Sequence, residues 1–343
     1  MYLISYVFLL IYSYLEVFLK KRTFLFPIVL ILMLIAGLRY KVGKDYTAYE
    51  NIFSNTVSIF DFPLIEPGFK YIIIFLKNYD IDTIGLFFLI GTVTLLIYYF
   101  AIAIHVKYKI FSLFLFFNTY LITAVFSGIR QGIAMGIFLL ALNALYNKNL
   151  YKVFIASMVA FSIHVTGIII LLLYLVPAKY VIKKEYIIIF VLSSFVFLYF
   201  DFSNVIAKFF PDYILLKFND YSQGFDASIN LQRVLQRVLL ILPFIFYYDL
   251  IIKKSDKLKY LFYLYLIGYF IYIVFSNNLA FATKINQFFR VLEIIMFPML
   301  LELLHSKINK IILFVLLVIW STLILLLFLS IEENYPYHMW ITA

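Results

Sequence analysis

The chain has 343 residues, 65% of them hydrophobic and 13% charged, with a formal net charge of +10 and no cysteine. That charged share is roughly half what an ordinary soluble domain carries, so a water-soluble fold is excluded. Disulfides, thiolate metal sites and cysteine nucleophiles go with the cysteines. The lysines stand in small groups between apolar runs rather than in a stripe interleaved with aromatics, so no nucleic-acid partner is expected.

Continuous apolar runs follow one another from end to end, where a transmembrane barrel would show short alternating strands. The expected class is an all-α polytopic membrane protein, a single integral membrane domain over residues 1–343. The predicted spans are 2–19, 24–38, 83–104, 110–126, 132–147, 186–200, 233–252, 258–276, 289–304 and 311–329, about ten transmembrane helices. The first run lacks a basic leader and an obvious cleavage site, and Lys20-Lys21-Arg22 follows it, so it reads as a retained helix.

Placing that triplet in the cytoplasm puts Lys107/Lys109, Lys148/Lys152, Lys179/Lys183/Lys184, Lys253/Lys254/Lys257/Lys259 and Lys307/Lys310 on the same side. That side then carries 16 Lys/Arg against five acids, and the other side 12 against 12, as the positive-inside rule requires. Both termini come out non-cytoplasmic. In this orientation 39–82 is an outside loop with a short helix. Residues 151–176, bounded by lysines at both ends, form a re-entrant helical hairpin with its tip at Ser162 to Gly167, and 201–232 is a second outside loop.

The polar residues that look least like scaffold approach the outer face. After the second span come Arg39, Asp45 and Glu66, while Lys41, Lys44 and Glu50 read as a solvated surface. Gly128, Gly132 and Gly136 make a small-residue stripe that admits another backbone closely. Arg130 lies opposite that stripe, and a cation there needs a partner. Gln131 either extends the same polar surface or makes an interhelical hydrogen bond. Arg233 and Arg237 share a helix face at i and i+4, where the anion between them is either Asp220 or Asp226, or an external phosphate. Arg290 either pairs with Glu293 or binds a ligand. His164, at the hairpin tip, is the one histidine inside an apolar run. No spacing assembles a metal site, and no nucleotide-binding motif is present. Arginines beside carboxylates suit an anionic leaving group and a hydroxyl nucleophile.

At these residues the chain resembles the EpsG family of bacterial exopolysaccharide and O-antigen (Wzy-type) polymerases. The resembling stretches are Gly37-Leu-Arg-Tyr-Lys-Val-Gly-Lys-Asp-Tyr46 with Tyr49, Ile65-Glu-Pro-Gly-Phe69, Ser127-Gly-Ile-Arg-Gln-Gly-Ile-Ala134 and Phe161-Ser-Ile-His-Val-Thr166. Arg290 before Pro298 and the tail Asn334-Tyr-Pro-Tyr337 follow in order. Lys44 departs from the smaller residue expected before the aspartate. The resemblance implies a GT-C-like fold in the bacterial inner membrane and a substrate of oligosaccharide repeat units on undecaprenyl diphosphate. The growing chain would move onto a sugar hydroxyl of the incoming unit with release of undecaprenyl diphosphate. On this reading Arg39, Arg130, Gln131, Arg290, Arg233, Arg237 and Tyr49 bind substrate, and Asp45, Glu66 and His164 are the candidates for the proton acceptor. No cofactor or metal is expected. The implied partners are the lipid-linked glycan, membrane lipid, a chain-length regulator and a flippase. The rival readings are a lipid-linked oligosaccharide flippase and an O-antigen ligase.

Overall fold

The computed structural model describes residues 1–20, 24–200, 202–224 and 229–340, with only the backbone of 204 and 220–224. Lys21, Arg22, Asp201 and Asp226, and the side chain of Asp220, lie outside what is described. Among the described residues the regular elements are helices, with one antiparallel bridge between Arg39 and Met339.

The chain forms two compact units, residues 1–174 with 293–343, and residues 175–292. The first unit opens with α1 (Tyr2–Leu19), α2 (Leu25–Gly37), α3 (Tyr46–Asn55), α4 (Pro67–Asn78) and α5 (Thr83–His105). It continues with α6 (Lys109–Thr119), a π-helical segment (Leu121–Ser127), α7 (Ile129–Tyr146), α8 (Leu150–Ile163), a 3-10 turn (Val165–Gly167) and α9 (Ile168–Leu172). The second unit holds α10 (Lys184–Phe197), α11 (Ser203–Ala207), α12 (Asp212–Gly224), α13 (Leu231–Phe246), α14 (Tyr248–Lys254), α15 (Asp256–Val274) and α16 (Leu279–Arg290). The first unit closes with α17 (Glu293–Leu303) and α18 (Lys307–Leu329).

Among the described residues five helices are long and apolar enough to cross a membrane: α1, α5, α7, α15 and α18. The number rises to seven if two bent pairs each count as one span: α6 with the π-helical segment, bent by 65°, and α13 with α14, bent by 56°. The expectation of about ten transmembrane helices is therefore corrected, and the GT-C-like architecture falls with it. The reason is that hydropathy runs do not mark where helices break. The run 24–38 yields a helix of 13 residues, about 20 Å long against the ~30 Å of hydrocarbon. The run 186–200 yields one of 14 residues, and 289–304 is divided between α16 and α17. The chain is a helical, multi-pass membrane protein.

Several buried polar groups lock the first unit. The Glu16 carboxylate on α1 accepts the backbone N–H groups of Lys109 at 3.0 Å, Ile110 at 2.9 Å and Phe111 at 3.1 Å. A neighbouring helix thus supplies the acceptors that the first turn of α6 lacks, and an anion at a helix N-terminus also meets a favourable dipole. His105, at the end of α5, sits 2.8 Å through Nε2 from the Leu139 carbonyl of α7. The α7 N-terminus packs onto the π-helical segment at Gly132, where a Cβ would lie 1.9 Å from the Ala124 carbonyl oxygen. The stripe expected to admit a backbone does so there.

Residues 150–175 fold back on themselves as a helical hairpin. Ser157 Oγ on α8 donates to the Gly167 carbonyl at 3.0 Å, although ten residues of straight helix would separate them by about 15 Å. At the far end the two limbs meet again, with Tyr174 donating to the Lys148 carbonyl at 3.2 Å and Lys148 Nζ donating to the Tyr174 carbonyl.

Candidate functional site

A connected polar cluster in the first unit is built where α3, α4, α7 and the hairpin tip converge. Pro67 occupies the first position of α4, which leaves Glu66 as the N-cap residue in an extended conformation, the place where proline suits the helix start. Glu66 makes no cap bond to its own helix. Its carboxylate reaches across instead: Oε1 accepts the Val165 backbone N–H at 2.8 Å, and Oε2 accepts Arg130 Nη1 in an ion pair. The side chains are 2% and 16% exposed respectively. The carboxylate therefore joins the first turn of α7 to the hairpin tip.

Backbone packing holds this junction close. A Cβ on Gly68 would stand 2.6 Å from the Ser162 carbonyl oxygen, so only glycine lets the α4 N-terminus approach the end of α8 this closely. The Arg130 guanidinium lies 5.7 Å from the centroid of the Phe69 ring, within cation–π range. Phe69 packs edge-on against Tyr49 of α3 at 5.8 Å. Burial pushes the Tyr49 phenol above its ordinary value, against the opposing pull of the Arg130 cation and its hydrogen bond to the tyrosine. Tyr46, Tyr49, Phe69, Phe87, Ile129 and Ile163 belong to one buried apolar cluster beneath these groups, which keeps the pair in a low-dielectric setting where charge interactions are strong.

His164 lies at the end of α8 and is buried. Its Nδ1 is 2.8 Å from Thr166 Oγ1 and takes the Thr166 backbone N–H at 3.3 Å. An Nδ1 that accepts leaves the proton of the neutral ring on Nε2. Asp45 precedes α3, half-buried, and its carboxylate makes no cap bond to that helix. Its charge reaches the Tyr49 phenol, which lies one turn further along. Gln131 is buried beside Arg130.

Arg39 is 1% exposed. Nη1 donates to the Ala36 carbonyl at 2.9 Å and Nη2 to the Phe126 carbonyl at 3.3 Å. The guanidinium also stands 4.7 Å from the Phe87 ring and 5.1 Å from the Phe126 ring. Burial pulls it down to about 10, with the surrounding phenols of Tyr46, Tyr337, Tyr2 and Tyr49 acting the other way. The C-terminal tail is laid across the same segment: Tyr40 N–H donates to the His338 carbonyl at 3.0 Å, Trp340 N–H to the Leu38 carbonyl at 3.0 Å and Gly43 N–H to the Glu333 carbonyl at 2.7 Å. Arg39 is thus the centre of a knot that fixes the entry to α3.

The structure brings Arg130, Glu66 and Tyr49 into one contact network, and the Glu66–Val165 bond puts His164 next to it in the chain. Asp45 and Arg39 approach it through Tyr49. Three arginines belong to the other compact unit. Arg233 is exposed in the first turn of α13, Arg237 lies 5.1 Å from the Tyr272 ring, and Arg290 ends α16, half-buried. Glu293 accepts the Tyr120 hydroxyl at 3.0 Å. The backbone N–H of Val165 and the side chains of Phe69 and Thr166 were not foreseen. Glu66 as the N-cap before Pro67 was the sequence signal that a carboxylate would stand at a helix start, but its distant partners left no local trace.

Among the described residues no group of three or more His, Asp or Glu is placed to hold a metal ion. No curated protein and no solved structure matches the chain significantly. The family model that does match is that of the EpsG family, over residues 22–339, which is nearly the whole chain, and the protein belongs to that family.

Proposed function

We propose that the protein is a Wzy-type polysaccharide polymerase of the bacterial inner membrane. It joins oligosaccharide repeat units carried on undecaprenyl diphosphate at the outer face. The observation that supports this most is the cation held at the head of α7: Arg130 lies over the Phe69 ring, is oriented by Glu66 and is set beside the tip of a helical hairpin. A guanidinium in such a site matches the oxygens of a diphosphate and stabilises the charge that develops as it leaves.

In the reaction, the acceptor sugar hydroxyl oxygen attacks the anomeric carbon of the donor chain. The bond from that carbon to the diphosphate oxygen breaks, and undecaprenyl diphosphate departs with the bonding pair. The hydroxyl proton passes to a base. Glu66 has both oxygens occupied by hydrogen bonds, which makes it a positioning residue for Arg130 and the hairpin tip. His164 with its proton on Nε2 is a donor, suited to an oxygen of the diphosphate or the glycan. Asp45, with no cap bond to hold it, is the proton acceptor on this reading. Arg39, engaged on both Nη atoms by carbonyls, positions α3 and Tyr49 rather than touching substrate. Gln131 extends the donor surface beside Arg130. Arg290, Arg233 and Arg237 are carried as substrate-binding residues by the family resemblance, and 151–176 is re-entrant from the lysine-rich side.

The test is purified protein in lipid with undecaprenyl-diphosphate-linked repeat units, read as a product ladder together with released lipid diphosphate. Arg130→Lys, folded as judged by its helical spectrum, is expected to abolish the ladder because an ammonium lacks the planar fork. Absence of any wild-type ladder, with units instead changing leaflet, would replace this reading by a flippase. An undiminished ladder in Arg130→Lys would remove Arg130 from the site.

A further inference from the structure

We infer that the groove between α7 and α8 is a binding site for one anionic phospholipid of the leaflet whose headgroups surround the α7–α8 turn. The groove has a volume of about 480 Å³, within the range of pockets that hold small ligands, roughly 300–1,000 Å³. Its chemistry is segregated along its length. Ile137, Leu140 and Ala141 of α7 face Ile155, Ala156 and Val159 of α8 as an apolar channel. The end at the turn is lined by Asn143, Asn147, Asn149 and Lys152.

The polar groups at that end are three side-chain amides and a lysine. From Ile137 to Val159 the chain contains Lys148 and Lys152 and no Asp or Glu, so an anion meets no opposing carboxylate from either wall. Asn149 Oδ1 is taken by the Lys152 backbone N–H at 3.1 Å, which leaves the amide of Asn149 with its NH2 group as donor. An apolar channel that ends in amide donors and a lysine matches an acyl chain continuing into a phosphate headgroup. A neutral zwitterionic headgroup brings its own cation to a site that already has one, so the complementarity favours a net negative lipid.

The helix register separates this site from the Glu66–Arg130 cluster along the same helix. Ile137 lies seven residues beyond Arg130, about 10 Å along the axis, and Asn147 ends the helix at the opposite pole. The inference does not depend on the polymerase reading, since it needs only the membrane and the groove.

The test uses the full chain in detergent, titrated with phosphatidylglycerol or phosphatidylcholine of identical acyl chains, the bound lipids being counted by native mass spectrometry. Wild type is expected to hold one phosphatidylglycerol about fivefold more tightly than phosphatidylcholine, the discrimination one lysine supplies to an anionic headgroup. Lys152→Gln, an exposed position where the fold is retained, is expected to erase that preference, and Ala156→Phe to weaken both lipids by filling the channel. Equal affinity for the two lipids in wild type, lipids accumulating without a distinct first site, or a preference surviving in Lys152→Gln would each overturn the proposal.

Discussion

Separating Glu66 from Arg130 should cost far more than losing either group's shape, because each deprives the other of its opposite charge in a buried setting. The Glu66 side chain is 2% exposed and Arg130 16%, so solvent screens the survivor little. Breaking a buried pair from one side costs about 3–5 kcal/mol. Glu66→Ala should fall in that range and should also orphan the Val165 N–H. Glu66→Gln keeps a carbonyl for Val165 and removes the ionic contribution, so its cost should be smaller, about 1.5–3 kcal/mol. In the double variant Glu66→Ala, Arg130→Met no charge is stranded, and its loss should be less than the sum of the singles by about 2 kcal/mol. Reversible unfolding in mixed micelles, followed by far-ultraviolet circular dichroism, measures wild type, Glu66→Ala, Glu66→Gln, Arg130→Met and the double variant. Single variants within about 0.5 kcal/mol of wild type, or a double that is additive to the same precision, would refute the claim that this pair holds α7 to the hairpin tip.

Glu16→Ala should destabilise by about 1–3 kcal/mol, because three backbone N–H groups of α6 lose their acceptor; amide exchange at Lys109, Ile110 and Phe111 should accelerate, and unchanged protection would contradict the capping role. Gly132→Ala should give little folded protein in membranes, since its Cβ would meet the Ala124 carbonyl oxygen at 1.9 Å; normal yield and melting would show that the π-helical segment can yield. Arg39→Lys should not restore what Arg39→Met loses, because a single ammonium cannot bridge the Ala36 and Phe126 carbonyls between two rings, and equal melting of Lys and wild type would sink this. Tyr49 has a phenol raised by burial above 10.0, so its contribution is fully present below pH 10 and is lost as pH climbs toward the folded value, where the unfolded chain has already given up its proton. The alkaline loss of stability should therefore be shallower in Tyr49→Phe, measured by the same unfolding assay from pH 8 to 11.

The membrane class and the helical content were legible from the residues themselves. Lipid offers no hydrogen bonds, so uncharged apolar runs must be helical wherever they are placed, and a lone arginine in such a run must find an anion. Glycines at Gly128, Gly132 and Gly136 likewise announced a close backbone approach, because nothing else explains so little side chain at helical spacing. What hydropathy could not decide was where a run stops being one helix. The bends after Thr119 and Phe246 and the division at Arg290 to Glu293 fall inside apolar sequence, and together with the short helices α2 and α10 they reduce about ten expected spans to five, or seven with the bent pairs. Nor could spacing say which carboxylate Arg130 would meet. Glu66 lies 64 residues away in the chain, and only the packing of α4 against α8, permitted by Gly68, carries it there. Arg39 makes the same point from the other side: its motif reads as a ligand contact, but the folded chain surrounds it with two carbonyls and two rings. Local sequence states what a side chain needs, and tertiary structure chooses which of the possible partners supplies it.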